Sequence, residues 1–171
     1  MSSQRIYEGK ILNLRRDKVL AVGEQEAYRE IVEHGGGVTI AAITHDGKMV
    51  MVRQYRKAAE KVVLEAPAGK KERGEDPELT AIRELKEETG YTPGKIQWIA
   101  SFYSSIGYST EVITIYLATD LTPGEMELDE NEAIEVLEYD LSQLKEMAIR
   151  GEIEDGKTIV AILLAAEKMG I

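Results

Sequence analysis

Cysteine is absent from all 171 residues, which excludes disulfides, zinc–thiolate centres and cysteine nucleophiles. Histidine occurs twice, at His34 and His45, so a metal centre built on several imidazoles is not expected. No run approaches the roughly 18 apolar residues of a membrane-spanning helix. The opening MSSQRIYEGK lacks the apolar stretch of a secretory signal, so a cytoplasmic location and no membrane partner are expected. Positive charge is scarce too. Twenty-one Lys and Arg against 31 Asp and Glu leave a net charge of −10. Nucleic-acid backbones are gripped by Lys and Arg, so nucleic acid is not the expected partner. The same surplus of acid suits divalent cations. What is present is globular: 43% apolar residues, 30% charged, and enough length for one domain with a real core.

The order of patterns predicts the fold class. RIYEGKILNLRRDKVLAV and AYREIVEHGGG carry loosely alternating β-branched and apolar residues and read as strands, closed by Gly35-Gly36-Gly37. VTIAAIT and MVMVRQY, joined by the turn HDGK, read as a hairpin of buried strands. KVVLEAPAG reads as a strand stopped by Pro67. KIQWIASFYS, EVITIYLATDL and EAIEVLEYDL read as further strands, with Trp98 and Tyr103 expected in the core. SQLKEMAIRG and GKTIVAILLAAEKMG have helical spacing. Strands, a helix, more strands and two helices predict an α/β fold (α+β by some schemes) with a mixed sheet, not a regular βαβ repeat. The triple glycine suggests residues 1–37 as an N-terminal strand segment and 38–171 as the main domain. His34 and His45 read as turn or surface residues.

The most informative stretch is GKKERGEDPELTAIRELKEETGY, Gly69 to Tyr91. Asp76 is a good N-cap, Pro77 suits the first helical position, and Gly90 suits the left-handed residue that ends a helix. Leu79, Ile82 and Leu85 are expected to form the buried stripe, with the glutamates facing away from the core and Arg83 reaching Glu87 one turn on. Glu84, Glu87 and Glu88 then share a face within about one turn, where like charges repel. They also lie near the helix C-terminus, whose dipole favours cations. A solvated acidic face is the ordinary explanation of such a trio. The position of the acids, the glycines upstream and the fourth acid Glu75 favour a second one, a site for hard cations such as Mg²⁺ or Mn²⁺, which prefer oxygen ligands.

The spacing Gly-x5-Glu-x7-Arg-Glu-aliphatic-x-Glu-Glu-x-Gly-aliphatic resembles the Nudix box at Gly69, Glu75, Arg83, Glu84, Leu85, Glu87, Glu88 and Gly90. Tyr91 stands where an aliphatic residue is usual. The resemblance implies an α/β/α sandwich and a metal-dependent hydrolase of nucleoside diphosphates linked to another group, with more than one ion. It implies that Glu84, Glu88 and the carbonyl of Ala68 ligate metal, that Glu87 supports the ions, and that Arg83 orients a glutamate.

LEAPAGKKERGE, VRQYRKAAE, YREIVEHGGGV, ELDENEAIEV and GEIEDGKTIVAILLA are similar to segments of ADP-ribose and nucleotide-sugar pyrophosphatases. On that resemblance Glu130 falls where a general base stands and Glu132 where a further metal ligand stands. Loop acids are otherwise most often merely solvated. Arg29 and Arg56 match arginines that contact substrate, against the plain alternative of surface salt bridges, and Arg53 is a further substrate-binding candidate. Glu65 either contacts substrate or holds Arg56. Tyr7, Tyr28 and Tyr55 either stack a base or simply pack. Ile106 replaces a proline usual in the subfamily. The implied reaction is therefore hydrolysis of ADP-ribose to AMP and ribose 5-phosphate, with GDP-mannose or another nucleotide sugar as the alternative substrate. A non-catalytic ligand-sensing domain is the alternative from another class. Relatives of this type are homodimers, so a homodimer is expected.

Overall fold

The computed structural model describes residues 2–72, 74–128 and 133–171. Among them lie ten strands and three helices. In chain order these are β1 (Ser3–Glu8), β2 (Leu12–Leu20), β3 (Glu26–His34), β4 (Gly37–Ala42), β5 (Lys48–Arg56), β6 (Lys61–Glu65), β7 (Ala68–Lys70), α1 (Pro77–Thr89), β8 (Thr92–Tyr103), β9 (Val112–Thr122), β10 (Ile134–Asp140), α2 (Leu141–Ile149) and α3 (Gly156–Met169). No described helix is long and apolar enough to cross a membrane.

The strands form three sheets. β1, β2 and β3 make an antiparallel meander of their own. The second sheet runs β10-β5-β6 and the third β7-β4-β9-β8, in which β4 and β9 are parallel. The hairpin expected of β4 and β5 is not formed. Their turn is made, with Thr44 N–H donating to the Lys48 carbonyl at 2.8 Å, but the strands then diverge into different sheets. β7 and β9 occupy both edges of β4, and β10 and β6 occupy both edges of β5. Pro67 divides its stretch as expected, and the chain crosses there from β6 in one sheet to β7 in another.

Strand alternation sorts the core into two layers. Val38, Ile40 and Ala42 of β4, with Tyr116 and Ala118 of β9, pack against Ala81 and Leu85 of α1. Ala41 of β4 and Ile113, Ile115 and Leu117 of β9 share the other layer with Leu141 and Leu144 of α2 and Ala161, Ile162 and Ala165 of α3. Apolar surface buried on both faces is the arrangement of an α/β/α sandwich, and it explains why VTIAAIT is apolar without alternation. Each fully buried side chain of Leu85's size contributes about 1.5–3 kcal/mol.

Two expectations about the core are corrected. Leu79 is 62% exposed, and α1 instead buries Thr80, Ala81, Leu85, Glu88 and Thr89. Small residues at 80 and 81 let the helix lie close to β4, which rotates the longer Leu79 outward. Trp98 and Tyr103 are more than half exposed on β8 rather than in the core, and Trp98 Nε1–H donates to Ser101 Oγ at 3.0 Å.

Candidate active site

α1 begins and ends where its caps require. Asp76 accepts from Glu78 N–H at 2.8 Å, Pro77 opens the helix, and Gly90 closes it with φ 76° and an N–H bond to the Lys86 carbonyl at 2.8 Å. Between the caps the acids do not all face water. Glu88 is only 5% exposed, and its Oε2 accepts the N–H of Ala68 at 3.0 Å. Glu84 lies against Gly69 so closely that a Cβ there would overlap its carboxylate. The expectation that the glutamates point away from the core is thus overturned for these two. They are pressed onto β7, and Gly69 is glycine because the carboxylate occupies the space of a side chain. Tyr91, the unusual residue at the end of the box, packs against the α1 layer and donates its hydroxyl to Glu138 at 2.8 Å.

Arg83 knits the rest of the cluster. Its guanidinium lies 3.1 Å from Glu75, 3.0 Å from Glu84 and 2.8 Å from Glu87, the last being the expected one-turn pair. Glu75 also accepts the N–H of Glu72. Hydrogen bonds from Arg83, and then that backbone bond, hold the Glu75 carboxyl well below its ordinary range, at about 2. The Arg83 pKa is raised in turn, first by Glu75. One guanidinium thus faces three acids, and with Glu88 on the same helix a net negative charge is left.

That surplus and the all-oxygen donor set fit a hard divalent ion. Glu84, Glu88 and the Ala68 carbonyl are the residues that would hold it, with Glu87 beside them. Among the described residues no group of three or more His, Asp or Glu side chains is drawn together as a metal cage.

These acids line a cleft of about 840 Å³, within the usual size of a small-molecule site. Arg83, Glu84, Glu87, Glu88 and Ala68 border it, and so does Arg56 of β5. Arg56 is clamped through Nε and Nη2 to the two carboxylate oxygens of Glu65, at 2.6 and 2.8 Å. Glu65 is 2% exposed. Burial pushes its carboxyl upward, but hydrogen bonds from Arg56 and the charge of Lys157 outweigh burial, and its pKa lies below the ordinary value. Of the two roles foreseen for Glu65, the structure forms the one that holds Arg56.

Other candidates lie elsewhere. Arg53 is paired with Glu135 across the β5–β10 ladder and does not border the cleft. Arg29 is exposed on β3 and donates to the Tyr28 carbonyl at 2.9 Å. Tyr7, Tyr28 and Tyr55 are exposed and none borders the cleft. Glu130 and Glu132 lie outside the described residues.

The cleft also holds residues that the sequence patterns did not single out. Lys157 and Asp155 border it at the start of α3, and Glu111 and Ser104 near the β8–β9 connection. His34, read as a turn or surface residue, ends β3 with its side chain largely enclosed and borders the cleft as well. Its Nδ1 lies 3.1 Å from both Gly36 N–H and Glu111 Oε1. A neutral ring accepts from the first, and a protonated ring donates to the second. The pairing of Lys157 with Glu65 and of His34 with Glu111 joins residues far apart in the chain, which no local spacing signals.

Comparison with known proteins agrees with this geometry. The NUDIX domain family matches residues 33–161. An ADP-ribose pyrophosphatase of Bacillus subtilis (strain 168) is 42% identical over 95% of this chain and 89% of its own length. A methanol dehydrogenase activator of Bacillus methanolicus has the same identity and coverage. A crystal structure of an ADP compounds hydrolase superposes with a TM-score of 0.87 at 20% identity, covering 99% of this chain and 92% of that one. With a family match over most of its length and relatives this close, the chain belongs to the Nudix family.

Proposed function

We propose that this protein hydrolyses the diphosphate bond of ADP-ribose, giving AMP and ribose 5-phosphate, with Mg²⁺ or Mn²⁺ as cofactor. The observation that carries the reading is the meeting, in one cleft, of the α1 acids with the clamped guanidinium of Arg56. A diphosphate bears negative charge that a cation-holding acid face and a fixed guanidinium can share. The 42% identical ADP-ribose pyrophosphatase supports the choice of substrate.

In this reading Glu84, Glu88, Glu132 and the Ala68 carbonyl would hold the divalent ions, which would supply charge to neutralise the diphosphate and to make the attacking water more acidic. Arg83 keeps Glu75, Glu84 and Glu87 in place. Arg56 binds the diphosphate or the ribose beside it. Glu130 takes the proton of the water that attacks one phosphorus, and the bridging oxygen leaves on the other product. Positioning and charge stabilisation supply most of the rate.

The N-terminal meander enters the reading as a dimerising segment. It leaves Ile6, Tyr7, Ile11, Leu20 and Tyr28 exposed, and apolar residues gathered on one exposed segment mark interaction surfaces. A homodimer in the cytoplasm, with Arg29 reaching the second subunit's substrate, accounts for both the exposed apolar residues and the place of Arg29 outside the lining of its own cleft.

The test is a panel of ADP-ribose, GDP-mannose and other nucleoside diphosphate compounds, assayed with Mg²⁺ and with Mn²⁺. ADP-ribose is expected to give the highest kcat/KM, with AMP and ribose 5-phosphate in equal amounts. A preference for GDP-mannose overturns the substrate, and no hydrolysis of any compound overturns the enzyme.

A further inference from the structure

We infer that Lys157 is a positioning residue for substrate recognition, acting through Glu65 to hold the Arg56 guanidinium at the cleft. The inference rests on the reading of Arg56 as a substrate contact.

Lys157 belongs to the first turn of α3, in the stretch EDGKT. Its ammonium donates to Glu65 Oε2 at 2.6 Å and to Asp155 Oδ2 at 2.9 Å. Both bonds join charged partners, and charge-assisted bonds are about twice as strong as neutral ones. Asp155 is itself fixed, because it caps α3 by accepting from Thr158 N–H and from the Thr158 hydroxyl. The Thr158 hydroxyl oxygen in turn accepts the N–H of Ala66 at 2.8 Å. The start of α3 is therefore docked at two neighbouring residues, Glu65 at the end of β6 and Ala66 just beyond it.

Charge shows what the dock accomplishes. Glu65 is buried, and Arg56 alone would leave it with one cation that also faces solvent. Lys157, itself mostly enclosed, is the second cation on the same carboxylate. With both cations the carboxylate stays ionised and fixed, so the bidentate clamp persists and the guanidinium keeps one orientation. Without Lys157, Glu65 keeps its burial cost with a single partner, and the clamp loosens at its buried end.

The experiment is steady-state kinetics on the full chain, with the best diphosphate compound of the panel as substrate. The variants are Lys157→Met, Lys157→Gln, Lys157→Arg, Arg56→Met and the double variant Arg56→Met/Lys157→Met. Loss of Lys157 is expected to raise KM about tenfold while kcat changes less than about twofold, as for uniform binding lost. Lys157→Arg is expected to recover most of the loss. In the Arg56→Met background, Lys157→Met is expected to add nothing, the non-additivity of residues acting through one another. A lowered melting temperature with unchanged KM would reduce Lys157 to a structural strut and overturn the inference. So would a KM effect that persists in full without Arg56, which would make Lys157 a direct contact. If Arg56→Met itself leaves KM unchanged, the reading of Arg56 fails. If Arg56→Met raises KM and Lys157→Met does not, the fault lies with Lys157 alone.

Discussion

Replacing Gly69 with alanine tests the site at its tightest point. The backbone at 69 is not in the left-handed region, so alanine is conformationally acceptable there. A small gain in stability, about 0.4–1 kcal/mol, is even expected from the stiffer unfolded chain. The obstacle is the Glu84 carboxylate. The added Cβ would sit well inside the 3.0 Å that real Cβ atoms keep from their neighbours. Glu84 has a flexible end and can give way, so the fold survives. To do so the carboxylate must retreat by about 1 Å or more, and misplacement on that scale costs on the order of 100-fold in rate. Turnover should therefore fall about 100-fold while the melting temperature stays within a few degrees. Gly107, with open space around it, is the control, and Gly107→Ala should leave turnover unchanged. Circular dichroism and kcat on the three proteins decide the matter. Parental kcat in Gly69→Ala would refute the argument that Glu84 must stand where it does.

Other predictions concern charge and assembly. Glu84→Gln and Glu88→Gln should each lower kcat by orders of magnitude with the fold retained, since the amide keeps the shape and loses the charge. Mg²⁺ at about 100 times its Kd should stabilise the parent by about 2.7 kcal/mol, read as a higher melting temperature, and these variants should lose that response. The Glu75 pKa is depressed in the fold from 4.5 to about 2, so its stabilising effect is present above 4.5 and lost as pH falls toward 2. Melting temperatures measured from pH 5 down to 2 should therefore drop less steeply in Glu75→Gln than in the parent, and equal slopes would refute the Arg83–Glu75 link. Light scattering should show a dimer. Deleting residues 1–36 should abolish both dimerisation and ADP-ribose binding, Arg29→Ala should mainly raise KM, and a monomeric parent would refute the dimer.

The helix that carries the acids was legible because its signals are local. Asp76, Pro77 and Gly90 mark its ends, and spacings of three and four put Glu84, Glu87 and Glu88 on one face. Its rotation was not legible. Leu79–Ile82–Leu85 and Ala81–Leu85–Glu88 are both helical stripes, and only close packing against β4 selects the second. The HDGK turn was readable for the same local reason, while the partners of β4 and β5 were not, since their hydrogen bonds go to strands far along the chain. Lys157 stands 92 residues from Glu65, and nothing in EDGKT announces an ion pair at that distance.

The crossover from β6 to β7 has a consequence for how substrate range can change. Glu65 carries the Arg56 clamp, Ala66 N–H is bound to Thr158, and the Pro67 carbonyl accepts Ile40 N–H. Ala68 N–H is bound to Glu88, and Gly69 has no room beside Glu84. Five consecutive residues are thus tethered to four elements, β5, α3, β4 and α1. The segment works as a gear shaft between recognition and chemistry, and a substitution anywhere along it shifts both. New substrate preferences arise more readily on walls whose bonds do not run to the acids, such as the part of the cleft where Ser104 is bonded to Glu111 and Glu111 lies beside His34.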